Sequence, residues 1–245
     1  MEEYKMFNII IKDSYEEVSE EAFKVMQEVL KKGDPVLGLA TGSTPIGLYQ
    51  KMIEDHVKNG TSYANIRSWN LDEYVGIPRN HEQSYYTFMH EQLFDHIDIK
   101  EENVHVPVGE TGSPGEAVAY EESMKGITVD IQVLGIGADG HIAFNEPGTP
   151  FDSLTHITDL HPQTIKDNAR FFKGDETQVP TKAITMGLAT IMRAKKILMI
   201  ATGVNKAEAI YNMIHGPKDP ACPASILQDH PDVTVVLDKD AASKL

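Results

Sequence analysis

Thr128-Val-Asp-Ile-Gln-Val-Leu134 runs directly into Gly135-Ile-Gly-Ala-Asp-Gly-His-Ile-Ala-Phe-Asn-Glu-Pro147. A short apolar run with β-branched residues predicts a strand, and the glycines after it predict a tight turn at its carboxyl end. The same unit recurs on both sides. Towards the amino terminus, Phe7–Ile11 predicts a buried strand. Apolar residues at Val18, Ala22, Val25, Met26, Val29 and Leu30 then give Tyr15–Leu30 helical spacing, with Gly33 as its stop. Val36–Ala40 predicts a second strand, followed by a Gly/Ser/Thr turn and a helix from Pro45 to about Val57. Ile66–Leu71 and the short Val104–Val106 are further strand candidates. Ser84–Phe94, with Tyr85, Phe88 and Met89 inward, and Pro114–Lys125 predict helices. Towards the carboxyl terminus, 145–182 reads as irregular and polar. Beyond it come a helix at Ala183–Met192, a strand at Lys195–Ala201, a helix at Asn205–His215 and a strand at Thr234–Leu237. Strands alternating with helices predict an α/β fold: one Rossmann-like domain over residues 1–245, its mostly parallel sheet covered by helices on both faces. Continuously apolar strands suit that double coverage. The polar stretch, about 150–182, is expected to be a lid.

Composition narrows the function. The chain has 245 residues, 41% of them hydrophobic, which is enough for a core. Its 37 acidic against 22 basic residues give a net charge of −15. That balance argues against nucleic acid and against an anionic membrane as partners. An anionic substrate therefore needs local cations and backbone N–H groups to reverse the field. No run of 18 apolar residues is present, and MEEYKMFNIIIKD does not read as a secretory signal. Cys222, the single cysteine, excludes an internal disulfide and a Cys-rich zinc site, and in Pro-Ala-Cys-Pro it reads as a small packing residue. There is no internal repeat. A cytoplasmic protein is expected.

In a parallel sheet the ligand lies beyond the carboxyl ends of the strands. Thr41–Thr44, Asp72–Glu73, Gly135–Glu146 and Thr202–Lys206 all follow strands, so four polar clusters should meet on one edge. Thr41, Gly42, Ser43 and Thr44 precede a helix, a combination suited to phosphate, though a capped helix start reads the same way. The run lacks the Gly-Lys-Ser/Thr of a Walker loop. Asp72 and Glu73 offer a carboxylate for proton transfer or form a solvated turn. Asp139, His141 and Glu146 lie within eight residues, and a histidine flanked by two acids suits a proton relay. Gly135, Gly137 and Gly140 match G-x-G-x-x-G, but the run is mid-chain and leads into Asn-Glu-Pro, so no dinucleotide is expected. Asp139 with His141 lacks an evident third ligand, so no metal is expected either. Arg170 and Lys206 complete the set. A lysine at a helix start opposes the helix dipole, which makes sense beside an anion, and arginine offers a fork for a second phosphate edge.

Five segments, in order, resemble glucosamine-6-phosphate deaminases. They are Gly38-Leu-Ala-Thr-Gly-Ser-Thr-Pro45, Asn70-Leu-Asp-Glu-Tyr-Val-Gly76, Ser84-Tyr-Tyr-Thr-Phe-Met-His90, Gly137-Ala-Asp-Gly-His-Ile-Ala-Phe-Asn-Glu-Pro147 and Arg170-Phe-Phe172. The resemblance spans nearly the whole chain, and the fourth run is its most specific part. It implies conversion of glucosamine 6-phosphate and water to fructose 6-phosphate and ammonia, with no cofactor. His141 would open the sugar ring, supported by Asp139 and Glu146. Asp72 would move the C2 proton towards C1, with the phosphate on Thr41–Thr44, Arg170 and Lys206. Hexameric relatives activated by N-acetylglucosamine 6-phosphate use an Arg and a Lys in an inter-subunit pocket. Here the matching stretch offers Thr149, His156, Thr158 and Asp159, and the chain stops at Leu245. The departure implies no such activation and a monomer or small homo-oligomer. The nearest rival, 6-phosphogluconolactonase, usually carries Thr-Ala-Ser-Leu-Phe-Pro after the Asp-Gly-His turn and Asp-Glu-Arg at the second cluster. Asn145-Glu146-Pro147 and Tyr74 favour the deaminase. A galactosamine 6-phosphate enzyme differs only at the sugar C4 and stays open. A sugar-phosphate sensor without catalysis is disfavoured by the complete set Asp72, Asp139, His141 and Glu146.

Overall fold

A computed structural model describes residues 7–245; the first six, part of the stretch read for a secretory signal, lie outside the described residues. Ten strands and seven α-helices follow one another as β1 (Asn8–Lys12), α1 (Tyr15–Leu30), β2 (Val36–Leu39), α2 (Ile46–Asn59), β3 (Arg67–Asn70), β4 (Asp72–Tyr74), α3 (Tyr85–Gln92), β5 (Val104–His105), α4 (Pro114–Ser123), β6 (Ile131–Leu134), β7 (His156–Asp159), α5 (Pro162–Asn168), β8 (Lys182–Thr185), α6 (Leu188–Met192), β9 (Ile197–Ala201), α7 (Ala207–His215) and β10 (Val233–Asp238). Seven strands form one parallel sheet in the order β1-β10-β9-β6-β2-β3-β5. Its interior strands β2, β6 and β9 are buried along their whole length, as coverage of both faces requires. The helix starts carry local signals. The Ser14 hydroxyl accepts the Glu17 N–H at the head of α1, and Ser113 with Glu116 forms a capping box ahead of α4.

From β2 the chain moves outward to β3 and β5, then returns to the other side of β2 through β6 and continues to β9 and β10. The strand order therefore reverses between β2 and β6. At such a switch point the two following loops diverge and leave a crevice beyond the strand ends. Those loops are Ala40–Pro45 and Gly135–His141.

Several expectations need correction. Ala183–Met192 is not one helix: Lys182–Thr185 is a strand, and only Leu188–Met192 is helical. The stretch 145–182 is more ordered than expected, containing β7, α5 and two short 3₁₀ turns. The first strand lies at the sheet edge, and Ile9 and Ile11 are exposed rather than buried. The strand expected from Thr128 begins only at Ile131. A second sheet was not expected at all: β4-β8-β7, antiparallel. It joins the end of the Asp72 segment to both sides of the 160–181 stretch. A separate apolar cluster under it includes Tyr74, Phe144, Leu160, Ala169, Phe172, Val179 and Ala183.

Candidate active site

The crevice at the strand reversal opens into a cleft of about 660 Å³. Thr41, Gly42, Ser43, Thr44, Asp72, His141, Arg170 and Lys206 all line it, so the four clusters that follow strands converge there with the Arg170 segment. Asp139 and Glu146 do not face the cleft; they stand behind His141. Glu73 turns away. Its carboxylate is buried and accepts the N–H groups of Tyr74, Tyr85 and Tyr86, which fastens β4 to the start of α3.

The loop after β2 is built to present donors. Gly42 has φ +91, a left-handed conformation that glycine adopts without penalty. Among the described residues, the N–H groups of Thr41, Gly42, Ser43 and Thr44 meet no acceptor. The start of α2 adds its dipole, and no acidic residue lies in its first turn. Arg170 and Lys206 approach the same cleft, and neither has a carboxylate within ion-pair distance among the described residues. Burial, and then the charge of Arg170, hold the Lys206 ammonium below its ordinary pKa. Asp167 and Asp139 oppose that shift from beyond ion-pair distance, and two cations with no direct ion pair suit a ligand with negative charge. Lys206 caps α7 from a 3₁₀ turn instead of lying inside the helix.

The histidine is held from one side. Asp139 Oδ1 is 2.7 Å from His141 Nδ1 and also accepts the His141 backbone N–H at 3.1 Å. A carboxylate only accepts, so Nδ1 carries the proton and Nε2 is free to act as a base. Burial would raise the Asp139 pKa, but the hydrogen bonds and charge of His141 outweigh it and hold the carboxyl at about 2. Glu146 is buried. Its Oε1 accepts the Thr164 hydroxyl, and its Oε2 lies 3.9 Å from His141 Nδ1 and 3.6 Å from His161 Nδ1. A Cβ on Gly137 would fall 2.2 Å from the His141 ring, so the glycine leaves the room in which the imidazole sits. Ala143, on the same turn, is held at φ +51, a conformation that is strained for a residue with a side chain. Asp139, His141 and Glu146 offer ligand atoms within 4.8 Å of one another, so Glu146 is the third group that the sequence left unnamed for a metal. The direct Asp139–His141 hydrogen bond suits a proton relay without one.

Asp72 closes the cleft from the β4 side. It is buried, and its carboxylate accepts no hydrogen bond among the described residues. Burial, and then the charge of Glu73, push its carboxyl up to about 8. Such a group takes a proton readily near neutral pH. Tyr85, Phe144, Gln163 and Thr164 also line the cleft. The sequence pointed to none of them as site residues. Tyr85 stacks on Phe144 with ring centroids 6.1 Å apart and planes at 7°, a contact made by tertiary packing.

Comparison with known proteins gives a consistent picture. Residues 12–236 match the family described as glucosamine-6-phosphate isomerases/6-phosphogluconolactonase. A glucosamine-6-phosphate deaminase of Clostridium novyi is 50% identical over 234 residues, covering 94% of this chain and 97% of the relative. One from Streptococcus thermophilus is 49% identical over 241 residues, covering 98% and 100%. Among solved structures, a monomeric glucosamine-6-phosphate deaminase superposes with a TM-score of 0.94 at 41% identity, covering 98% of this chain and 100% of that one. The 6-phosphogluconolactonase of Trypanosoma brucei superposes at 0.81 with 20% identity, covering 98% and 99%, which is a likeness of fold.

Proposed function

The chain belongs to the glucosamine-6-phosphate isomerase/6-phosphogluconolactonase family, and we propose that it converts glucosamine 6-phosphate and water to fructose 6-phosphate and ammonia. The observation that carries this reading is one cleft uniting a donor-rich loop and two cations with two separate proton-transfer groups, Asp72 and the His141–Asp139 pair. The identity to deaminases, near half over almost the full chain, supports the same reaction.

The phosphate lies on Thr41–Thr44 with Arg170 and Lys206, which fixes the sugar at one end. His141 Nε2 takes the proton of the anomeric hydroxyl and returns it to the ring oxygen, opening the ring. Asp139 stabilises the imidazolium formed in between, and Glu146 supports the ring from behind. Asp72 removes the C2 proton, giving an enolamine, and delivers it to C1. Loss of ammonia after water adds at C2 leaves the ketose. Each step is a proton transfer, an addition of water or the loss of ammonia, and the proton transfers fall to His141 and Asp72. The segment of about 161–180, anchored through β7 and β8 to β4, acts as the lid and shields the enolamine from water.

The protein acts as a monomer or small homo-oligomer without activation by N-acetylglucosamine 6-phosphate. The stretch expected to hold that effector carries Thr149, His156, Thr158 and Asp159, and the one cation paired there, Lys182, is 3.5 Å from Asp159. The structural relative at 41% identity is a monomeric deaminase.

The test is release of ammonia and fructose 6-phosphate from glucosamine 6-phosphate. Galactosamine 6-phosphate and 6-phosphogluconolactone run alongside, with chelator present, and with and without N-acetylglucosamine 6-phosphate. Turnover of the glucosamine ester, on a hyperbolic curve that the effector leaves unchanged, is expected. Hydrolysis of the lactone alone would overturn the reading.

A further inference from the structure

We propose that Tyr15 and Tyr49 are positioning residues that hold the 40–47 loop in its anion-binding shape from its two ends. The inference rests on the reading in which residues 41–44 take the substrate phosphate. Tyr15 is 40% exposed, stands on a different helix, and has no part in the proton transfers above.

The exit of the loop lacks the usual cap. Pro45 occupies the N-cap of α2 and offers no side-chain acceptor to the first-turn amides. Tyr15 supplies one from α1. Its hydroxyl oxygen accepts the Gly47 N–H at 2.9 Å. The same hydroxyl points its proton at the Ser43 carbonyl, 2.8 Å away, with the Thr44 carbonyl at 3.2 Å. Carbonyl oxygens repel an anion, so drawing these two towards α1 removes them from the phosphate side. In a trans peptide the C=O and the following N–H point in opposite directions. Fixing the Ser43 carbonyl on Tyr15 therefore turns the Thr44 N–H away from α1, and Thr44 is a residue that lines the cleft.

At the loop entrance Tyr49 does the same. Its buried hydroxyl donates to the Ala40 carbonyl at 2.5 Å and accepts the Ala40 N–H at 3.1 Å. By the same geometry the Thr41 N–H points away from Tyr49. Between these two phenols lie the four amides, Thr41 to Thr44, that meet no acceptor among the described residues.

Close approach of α1 and α2 makes the contact possible. A Cβ on Gly47 would fall 2.0 Å from the Ser19 hydroxyl and 3.0 Å from the Tyr15 ring. Tyr15 and Ser19 are one helical turn apart, so both rest on the start of α2.

The experiment uses Tyr15→Phe, which removes one oxygen from a half-exposed side chain, with Tyr211→Phe, equally exposed, as control. Inorganic phosphate is titrated by calorimetry into wild type and variants, and steady-state constants are measured with glucosamine 6-phosphate. Tyr15→Phe should raise the phosphate Kd and the KM together by about 3–10-fold, the scale of one net hydrogen bond, with kcat within about twofold. Tyr211→Phe should change neither. Tyr49→Phe should move Kd the same way, at a larger cost in Tm because Ala40 loses a buried partner. A folded Tyr15→Phe with unchanged phosphate Kd would overturn the proposal, as would a fall in kcat at constant KM. If wild type binds phosphate but does not release ammonia, the reaction assigned above falls while the titration still decides the role of Tyr15. If wild type binds no phosphate, the loop reading and this proposal fall together.

Discussion

Asp72 carries the sharpest consequences at the scale of a residue. Its carboxyl is pushed from the ordinary 3.8 to about 8 by burial and by the Glu73 charge. A base must be ionised in the free enzyme, so kcat/KM should climb with pH and level off above about 8; a plateau already reached at pH 6 would overturn the raised carboxyl, while the rate of Asp72→Asn decides its role as the base. The same shift has a sign for stability. Between 3.8 and about 8 the native state holds a proton that the unfolded chain releases. Stability is therefore fullest below the unfolded value and is lost as pH rises through the folded one. Asp72→Asn removes that dependence. Its Tm should exceed that of wild type at pH 8, and the gain should vanish near about pH 4. The variant should lose about 10²–10⁴-fold in kcat while its phosphate affinity stays unchanged. A kcat near that of wild type would refute the assignment, and a lower Tm at pH 8 would refute the buried-charge account.

Among the elements, the stretch around β8 shows how far local sequence reaches. Lys182-Ala-Ile-Thr-Met-Gly-Leu-Ala-Thr-Ile-Met192 has apolar side chains at both strand and helix periods, so its pattern alone cannot divide it. The division falls at Gly187, where a Cβ would lie 2.2 Å from the Ser153 carbonyl oxygen, a contact set by a distant loop. Asp72-Glu73-Tyr74 reads as a polar turn for a similar reason: its partner β8 makes it a strand. The parallel sheet was legible because its buried strands are plain apolar runs. Thr41–Thr44, Asp72, His141 and Lys206 were legible because each follows a strand. Tyr85, Gln163 and Thr164 were not, since they come from the first turns of helices brought in by packing. That packing is itself testable. Phe172 meets Tyr74 edge-on at 5.8 Å inside the small apolar cluster under the second sheet, which the proposed lid would rest on. Phe172→Ala should cost about 3–5 kcal/mol locally. Amide exchange should accelerate across 162–179 and stay slow in β2, β6 and β9, and KM should rise because Arg170 sits on the same 3₁₀ turn. Uniform acceleration through the whole sheet would mean that the segment is an integral part of the core and not a lid.

For the whole molecule, the strand reversal between β2 and β6 and the overall charge act together. A chain of net charge −15 repels a phosphate ester at long range, so attraction must come from a few groups at short range. Those groups are scattered along the chain: the amides of 41–44, Arg170 and Lys206. No single segment holds enough of them to bind phosphate alone, and only the assembled parallel sheet brings the two ends of this set to one crevice. Phosphate binding should therefore stabilise the chain as one body. A ligand at about 100 times its Kd adds roughly 2.7 kcal/mol, and each kcal/mol moves Tm by about 2–4 °C in a chain of this size. Saturating inorganic phosphate should raise Tm by about 5–11 °C in a single transition, read by calorimetry at constant ionic strength with sodium sulfate-free buffer as reference. Asp72→Asn should keep that increment, since the base lies apart from the anion groups. A double substitution of Arg170 and Lys206 to Met should lose most of it. An increment that survived the double substitution would place the anion elsewhere on the molecule, and a transition that split on adding phosphate would show that the two halves of the sheet unfold separately.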